Sequence, residues 1–155
     1  MSAPTGPDQP VVVRAGEGER IVAAGVDHLF GLTGAQTGGL LGLEHFLVPP
    51  RTLGARPHVH HAHDEYFYVL EGELTLITAD GEIVLTAGDL ATAPRGASHG
   101  FLNPSETTGV RGLGLYTPSG YEQYFRDVHE AVESGTDLTG ELLAELRSRY
   151  RTETP

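Results

Sequence analysis

From Val11 to about Thr117 the chain is cut into short β-like pieces by Gly, Pro, Asp and Asn, which leaves no room for a long helix. The candidate strands are Val11–Arg14, Arg20–Ala23, Asp27–Leu32, Leu40–Val48, Pro57–His61, Tyr66–Glu71, Glu73–Thr78, Glu82–Leu85, Leu90–Ala93, Gly100–Asn103 and Gly112–Tyr116. Strands at such regular spacing predict an all-β sandwich or small barrel, and 21 Gly and 10 Pro supply the turns. Glu71-Gly72 joins one pair of strands, and Asp80-Gly81 is a two-residue hairpin signal. The pattern changes after Pro118. Ser119-Gly-Tyr-Glu122 has the spacing of a capping box, and Tyr121, Tyr124, Phe125, Val128 and Val132 follow at helical intervals. A second helix is predicted from about Leu138 to Tyr150, with Gly135 as the stop between the two. The expected organisation is a disordered arm over 1–10, a β body over 11–117 and a helical appendage over 118–151, packed on the outside of the β body.

The absences in the composition restrict the chemistry. Without Cys there are no disulfides, thiolate nucleophiles or Cys-ligated metals, and without Lys there is no Schiff base or Walker-type phosphate loop. A formal net charge of -11 argues against a nucleic acid partner, which needs clustered cations. No apolar run reaches the roughly 20 residues that span a bilayer. The first residues lack the features of a signal peptide, so a cytoplasmic location with no membrane partner is expected.

What remains is carboxylates, hydroxyls and eight His, four of them in His58-Val-His60-His61-Ala-His63-Asp64-Glu65. Side chains alternate along a strand, so His58 and His60 share a face about 7 Å apart along the chain. With a carboxylate from the following turn and His99 from another strand, three His and one Glu can close on one metal ion and leave coordination positions open, as a catalytic metal requires. An exposed tract or tag remnant would have the same residues, but the internal position and the apolar Tyr66–Leu70 run oppose it. His61 has the opposite parity and His63 lies in the turn, so both are expected on the surface or behind the ligands. Gly96-Ala-Ser98-His-Gly100 fits the nucleophile-elbow pattern, yet Phe-Leu-Asn-Pro follows it and cannot start the helix that the elbow needs.

His58-x-His60-x4-Glu65-x6-Gly72 resembles the first cupin motif, and Gly88-x5-Pro94-x-Gly96-x2-His99-x3-Asn103 matches the second at every specified position. Gly54 departs from the family pattern, lying four rather than six residues before the first His, a difference expected to affect only a loop. Thr117-Pro-Ser-Gly-Tyr-Glu-Gln-Tyr-Phe125 is similar to a segment of single-domain cupins described as quercetin dioxygenase-like. The resemblance implies an antiparallel jelly-roll β-barrel with two C-terminal α-helices. It also implies one divalent first-row transition metal (Fe, Ni, Mn, Co, Cu or Zn) held by His58, His60, Glu65 and His99.

Gly72 and Gly96 suit turns of positive φ, Pro94 fixes the chain before His99, and the Asn103 amide is expected to tie down a neighbouring strand. By parity, Phe67, Val69 and Phe101 should line a pocket, together with one of His45 and Phe46. Such an apolar lining suits a planar or lipophilic small molecule. The expected function is a dioxygenase acting on a small enolic or phenolic substrate of flavonol or diketone type, with Glu65 as ligand, proton acceptor or both. The alternatives are a redox-neutral isomerase or cyclase that uses the metal as a Lewis acid, and a non-catalytic small-molecule or metal-binding cupin. Leu40–Val48 is apolar on both parities apart from Glu44 and His45, which implies a second cover and hence a homodimer.

Overall fold

A computed structural model describes residues 9–155; most of the N-terminal arm expected over 1–10 lies outside the described residues. Ten strands carry the body in chain order: β1 (Glu19–Ala23), β2 (Val26–Leu32), β3 (Gly42–Val48), β4 (Thr52–His60), β5 (Asp64–Glu71), β6 (Leu74–Thr78), β7 (Gly81–Leu85), β8 (Leu90–Ala93), β9 (Ser98–Asn103) and β10 (Val110–Thr117). A short helix α1 (Gly34–Thr37) lies between β2 and β3. Helices α2 (Glu122–Glu133) and α3 (Gly140–Ser148) follow the body, and a two-residue strand β11 (Thr152–Glu153) ends it. Two antiparallel sheets, ordered β1-β2-β3-β10-β5-β8 and β11-β4-β9-β6-β7, face each other as a jelly roll.

Alternation sets the core. Along β5 the residues Glu65, Phe67 and Val69 are buried and their neighbours are not, so one face of the strand turns between the sheets. Phe46, Val48, Phe67, Val69, Leu74, Leu76, Leu85 and Val110 form that inner core with Val26. A second cluster joins Ile21, Ala23 and Phe30 of the β1–β2 hairpin to Tyr121, Tyr124 and Val128 of α2 and its approach and to Leu146 of α3. Phe125, Leu142 and Leu143 pack against the same cluster, whereas Val132 at the far end of the α2 stripe stays exposed.

The chain crosses between the sheets at Glu71-Gly72. Gly72 has φ 82°, and a Cβ there would meet the Gly109 carbonyl at 2.6 Å. At the other predicted turn Thr78 pairs with Gly81, so Ala79-Asp80 forms the two-residue loop and Gly81 opens β7.

Several local expectations are corrected. Val11–Arg14 is not a strand: no strand pairs with it, and a β-branched run alone supplies no ladder. Thr33-Gly-Ala-Gln36 forms a capping box that starts α1. Ser119 does not cap α2. The Glu122 carboxylate accepts instead from the Gly120 amide at 2.7 Å and the Gly34 amide at 3.4 Å, and it is Thr139 that caps α3. Gly54 lies inside β4, not in a loop, and a Cβ there would collide with the Phe101 ring, so the strand needs glycine at that point. Among the described residues no helix is long and apolar enough to cross a membrane.

Candidate metal centre

His58 and His60 come from β4 and His99 from β9, where His58 and His99 are cross-strand partners. Glu65 comes from β5 in the opposite sheet, so the four side chains meet between the sheets, all buried. The loop before His99 is pinned on both sides. The Gly96 amide donates to the His60 carbonyl at 2.9 Å, and Asp64 accepts from the Arg95 amide at 2.9 Å and from its guanidinium at 3.1 Å.

Hydrogen bonds fix which nitrogen each imidazole presents. His58 Nδ1 donates to the Arg56 carbonyl at 2.7 Å and His99 Nδ1 to the Ala97 carbonyl at 3.2 Å, since a carbonyl can only accept. His60 Nδ1 lies 2.8 Å from the Thr152 hydroxyl of β11. All three Nε2 atoms consequently face one point. His58 Nε2 and His60 Nε2 are 3.1 Å apart, and Glu65 Oε2 lies 3.0 Å from His60 Nε2 and 2.9 Å from His99 Nε2. Lone pairs at that spacing repel unless a proton or a metal ion stands among them. Donors at right angles around an ion at about 2.1 Å would lie about 3.0 Å apart. The set fits a divalent metal, and three nitrogens with one oxygen suit first-row ions.

The electrostatics follow from burial and crowding. Burial first, then His99 and His60, push the His58 imidazole down to about 3. Burial alone would raise the Glu65 carboxyl, but its hydrogen bonds with His60 and His99 prevail and hold it well below the usual range. Burial would likewise lower His99, and the contact with Glu65 outweighs it and raises the imidazole.

His61 is exposed and pairs with Glu153 at 3.1 Å. His63 is buried behind the cluster, with its ring 4.1 Å from that of His60 and 4.6 Å from that of Tyr121. Burial and then His60 push it down to about 4, and among the described residues its Nε2 has no hydrogen-bond partner.

A cavity of about 40 Å³ opens beside His58 and Glu65. Phe46, Phe67 and Phe101 line it. His45 does not: it has the outward parity on β3 and is exposed. Val69 is fully buried in the core next to Phe67, outside the lining. The opposite wall comes from the C-terminal segment, namely Tyr121, Tyr124, Phe125 and Arg147.

A second polar group lines the same cavity and was not anticipated. Glu44 is buried, with one carboxylate oxygen 2.8 Å from His28 Nδ1 and the other accepting from the Tyr116 hydroxyl at 3.1 Å. The signal for Glu44 was its parity with Phe46 in an otherwise apolar strand; Arg147 shares a helical stripe with Leu143. Thr152 carries no local signal.

The Cupin domain family matches residues 44–116. Quercetin 2,3-dioxygenase of Bacillus subtilis (strain 168) is 32% identical over 130 residues, covering 80% of this chain and 36% of that protein. The chain is a cupin. Quercetin 2,3-dioxygenase of Aspergillus japonicus is 30% identical over 124 residues, 76% of this chain and 35% of that one. This cupin thus spans about a third of the length of the curated relatives it matches. A solved structure described as a sugar phosphate isomerase of the cupin superfamily from Silicibacter pomeroyi superposes with TM-score 0.60 at 25% identity, over 69% of this chain and 75% of that chain.

Proposed function

We propose that this cupin is a metal-dependent dioxygenase acting on a small enolic or phenolic substrate, with His58, His60, Glu65 and His99 as the metal ligands. The observation that carries the reading is the convergence of three Nε2 atoms and Glu65 Oε2 beside an aromatic cavity. Similarity to two quercetin 2,3-dioxygenases supports it. A bound first-row ion would supply Lewis acidity and, if redox-active, chemistry with dioxygen.

The chain's own residues set the rest. Phe46, Phe67 and Phe101 hold a flat substrate and exclude water. Glu65 Oε2 takes both histidine contacts, which leaves Oε1 as the atom to accept a substrate proton. A cavity of about 40 Å³ holds about three waters, so a compact diketone fits this reading better than a flavonol, which would require the α2–α3 cover to move.

A redox-neutral isomerase or cyclase is the second reading. It is favoured by the His28–Glu44–Tyr116 group in the same cavity, which offers a proton-handling site separate from the metal ligands, and by similarity to the protein described as a sugar phosphate isomerase. A cytoplasmic location without nucleic acid partners goes with either reading, and the charge of -11 supports the absence of such partners.

The test is elemental analysis of untagged protein followed by oxygen uptake with 2,4-pentanedione, catechol and quercetin. Near-stoichiometric metal is expected, lost in His58→Ala, His60→Ala and His99→Ala but retained in His61→Ala, with oxygen consumed on at least one substrate. Turnover that proceeds unchanged without oxygen selects the isomerase or cyclase. Ligand binding without turnover makes this a binding protein.

A further inference from the structure

We propose that Arg147 is an anion anchor in the cavity, so that the ligand is a compact organic acid whose carboxylate meets the guanidinium while the rest of the molecule faces the metal ligands. This rests on the cavity being the substrate site.

Arg147 lies on α3, outside the segment that matches the cupin family. It is 7% exposed and lines the same cavity as His58 and Glu65. Its position is unusual for this chain. Arg20, Arg95, Arg111, Arg126 and Arg149 each pair with a carboxylate, and Arg14, Arg51, Arg56 and Arg151 pair with none but are exposed; among the described residues Arg147 is the arginine that is both buried and without a carboxylate within 4.0 Å. Its contacts are the neutral Thr154 hydroxyl at 3.4 Å and the Tyr124 hydroxyl and ring, with the guanidinium carbon 5.7 Å from the ring centroid. Among the described residues its Nε finds no hydrogen-bond partner.

A buried guanidinium stays charged, and leaving it without a counter-charge is costly. The chain has 21 carboxylates to offer, and the two that line this cavity are engaged elsewhere: Glu65 with His60 and His99, Glu44 with His28 and Tyr116. The missing counter-charge is therefore one that an occupant of the cavity can bring. A planar carboxylate matches the guanidinium fork. The cavity's size selects a small one, and its aromatic walls exclude the water that would weaken the pair.

The test uses the full chain loaded with zinc, which suppresses redox chemistry, and also the metal-free protein. Ligand-observed NMR titrations compare pyruvate with its neutral counterpart 2,3-butanedione in wild type, Arg147→Met and Arg147→Lys. Wild type is expected to bind pyruvate at least tenfold more tightly than the dione. Arg147→Met should bring that ratio close to one at unchanged zinc content, and Arg147→Lys should retain part of it. Because Met removes an unpaired buried charge, the melting temperature of that variant should hold or rise.

A ratio unaltered in Arg147→Met, or one that disappears with the metal alone, overturns the proposal. So does a sharp drop in the melting temperature of Arg147→Met, which would mark a structural role. Arg147-dependent pyruvate binding in a protein that consumes no oxygen would keep the anchor and discard the dioxygenase. Oxygen uptake that is indifferent to Arg147→Met, with no carboxylate preference, would do the reverse.

Discussion

Each imidazole in the centre presents Nε2 because something holds its Nδ1, and for His60 that partner is a single hydroxyl contributed from 92 residues away. Thr152→Val keeps the shape of the side chain and removes the oxygen. The expected result is a loss of metal affinity of about 10- to 100-fold by chelator competition, with recovery in Thr152→Ser. Unchanged affinity in the Val variant would mean that packing alone orients His60. The four candidate ligands were legible because strand parity and motif spacing are local: His58 and His60 sit two apart, and Glu65 follows within one turn. Thr152 and His28 were not legible, and Arg147 showed no more than a stripe shared with Leu143, since each matters only through what a distant segment brings beside it. His63 shows the limit of local reading in another way: turn position suggested a solvent-facing or backing ring, and only the packing of Tyr121 decides that it is buried.

Elements were readable wherever they carried their own period. β5 alternates cleanly and α2 repeats its aromatic stripe, so both were placed within a few residues. β11 is two residues long and exists only through pairing with Val59 and His60, which no periodicity can reveal. Val11–Arg14 failed for the converse reason, having strand-like residues and no partner. Asn103, at the end of β9, shows how one side chain can stand in for a ladder. Its amide nitrogen donates to the carbonyls of Val48, Pro49 and Thr108 at 3.1, 3.1 and 2.8 Å, and its oxygen accepts from the Ser105 amide at 3.1 Å. It thereby holds the end of β3 and the turn leading to β10 together. Asn103→Ala removes these four contacts to buried and half-buried backbone groups and should cost about 3 kcal/mol, a fall in melting temperature of about 6–12 °C. Metal content at low temperature should be retained, because Asn103 touches none of the ligands. A shift below about 2 °C would mean that water replaces the amide.

At the scale of the molecule, two expectations concern how the body meets its surroundings. The outward face of β3 carries His45 and Leu47, the latter 38% exposed, while Val11–Val13 line one groove with Leu29, Leu43 and His45. The chain thus supplies part of the cover that the sequence assigned to a partner. We still propose a homodimer over the remainder of that face, expected as a dimer mass by light scattering at tens of micromolar; a monomer mass would make Val11–Val13 cover enough. The second expectation concerns acid. His58 and His63 are buried with folded values of about 3 and about 4 against an unfolded value of about 6.5, so between these limits the unfolded chain binds more protons. Their contribution is present above about 6.5 and is lost as pH falls toward their folded values. Glu65, held low, adds loss in the same direction below the usual carboxylate range. His99 opposes them, because its raised value favours the folded state at low pH and that gain fades as pH rises. Between pH 6.5 and 4.5 the His99 gain is already complete and Glu65 has yet to act, so His58 and His63 set the slope and the metal-free protein should melt at progressively lower temperature across that range. Bound metal must also be displaced by protons on its ligands, so the loaded protein should show the steeper fall. His63→Phe keeps the ring packed against His60 and Tyr121 while removing one titrating group, and should flatten the metal-free profile without abolishing metal binding. A metal-free melting temperature that stays level across this range would show that these histidines take up protons in the folded state as readily as in the unfolded one, and that the cluster is open to water.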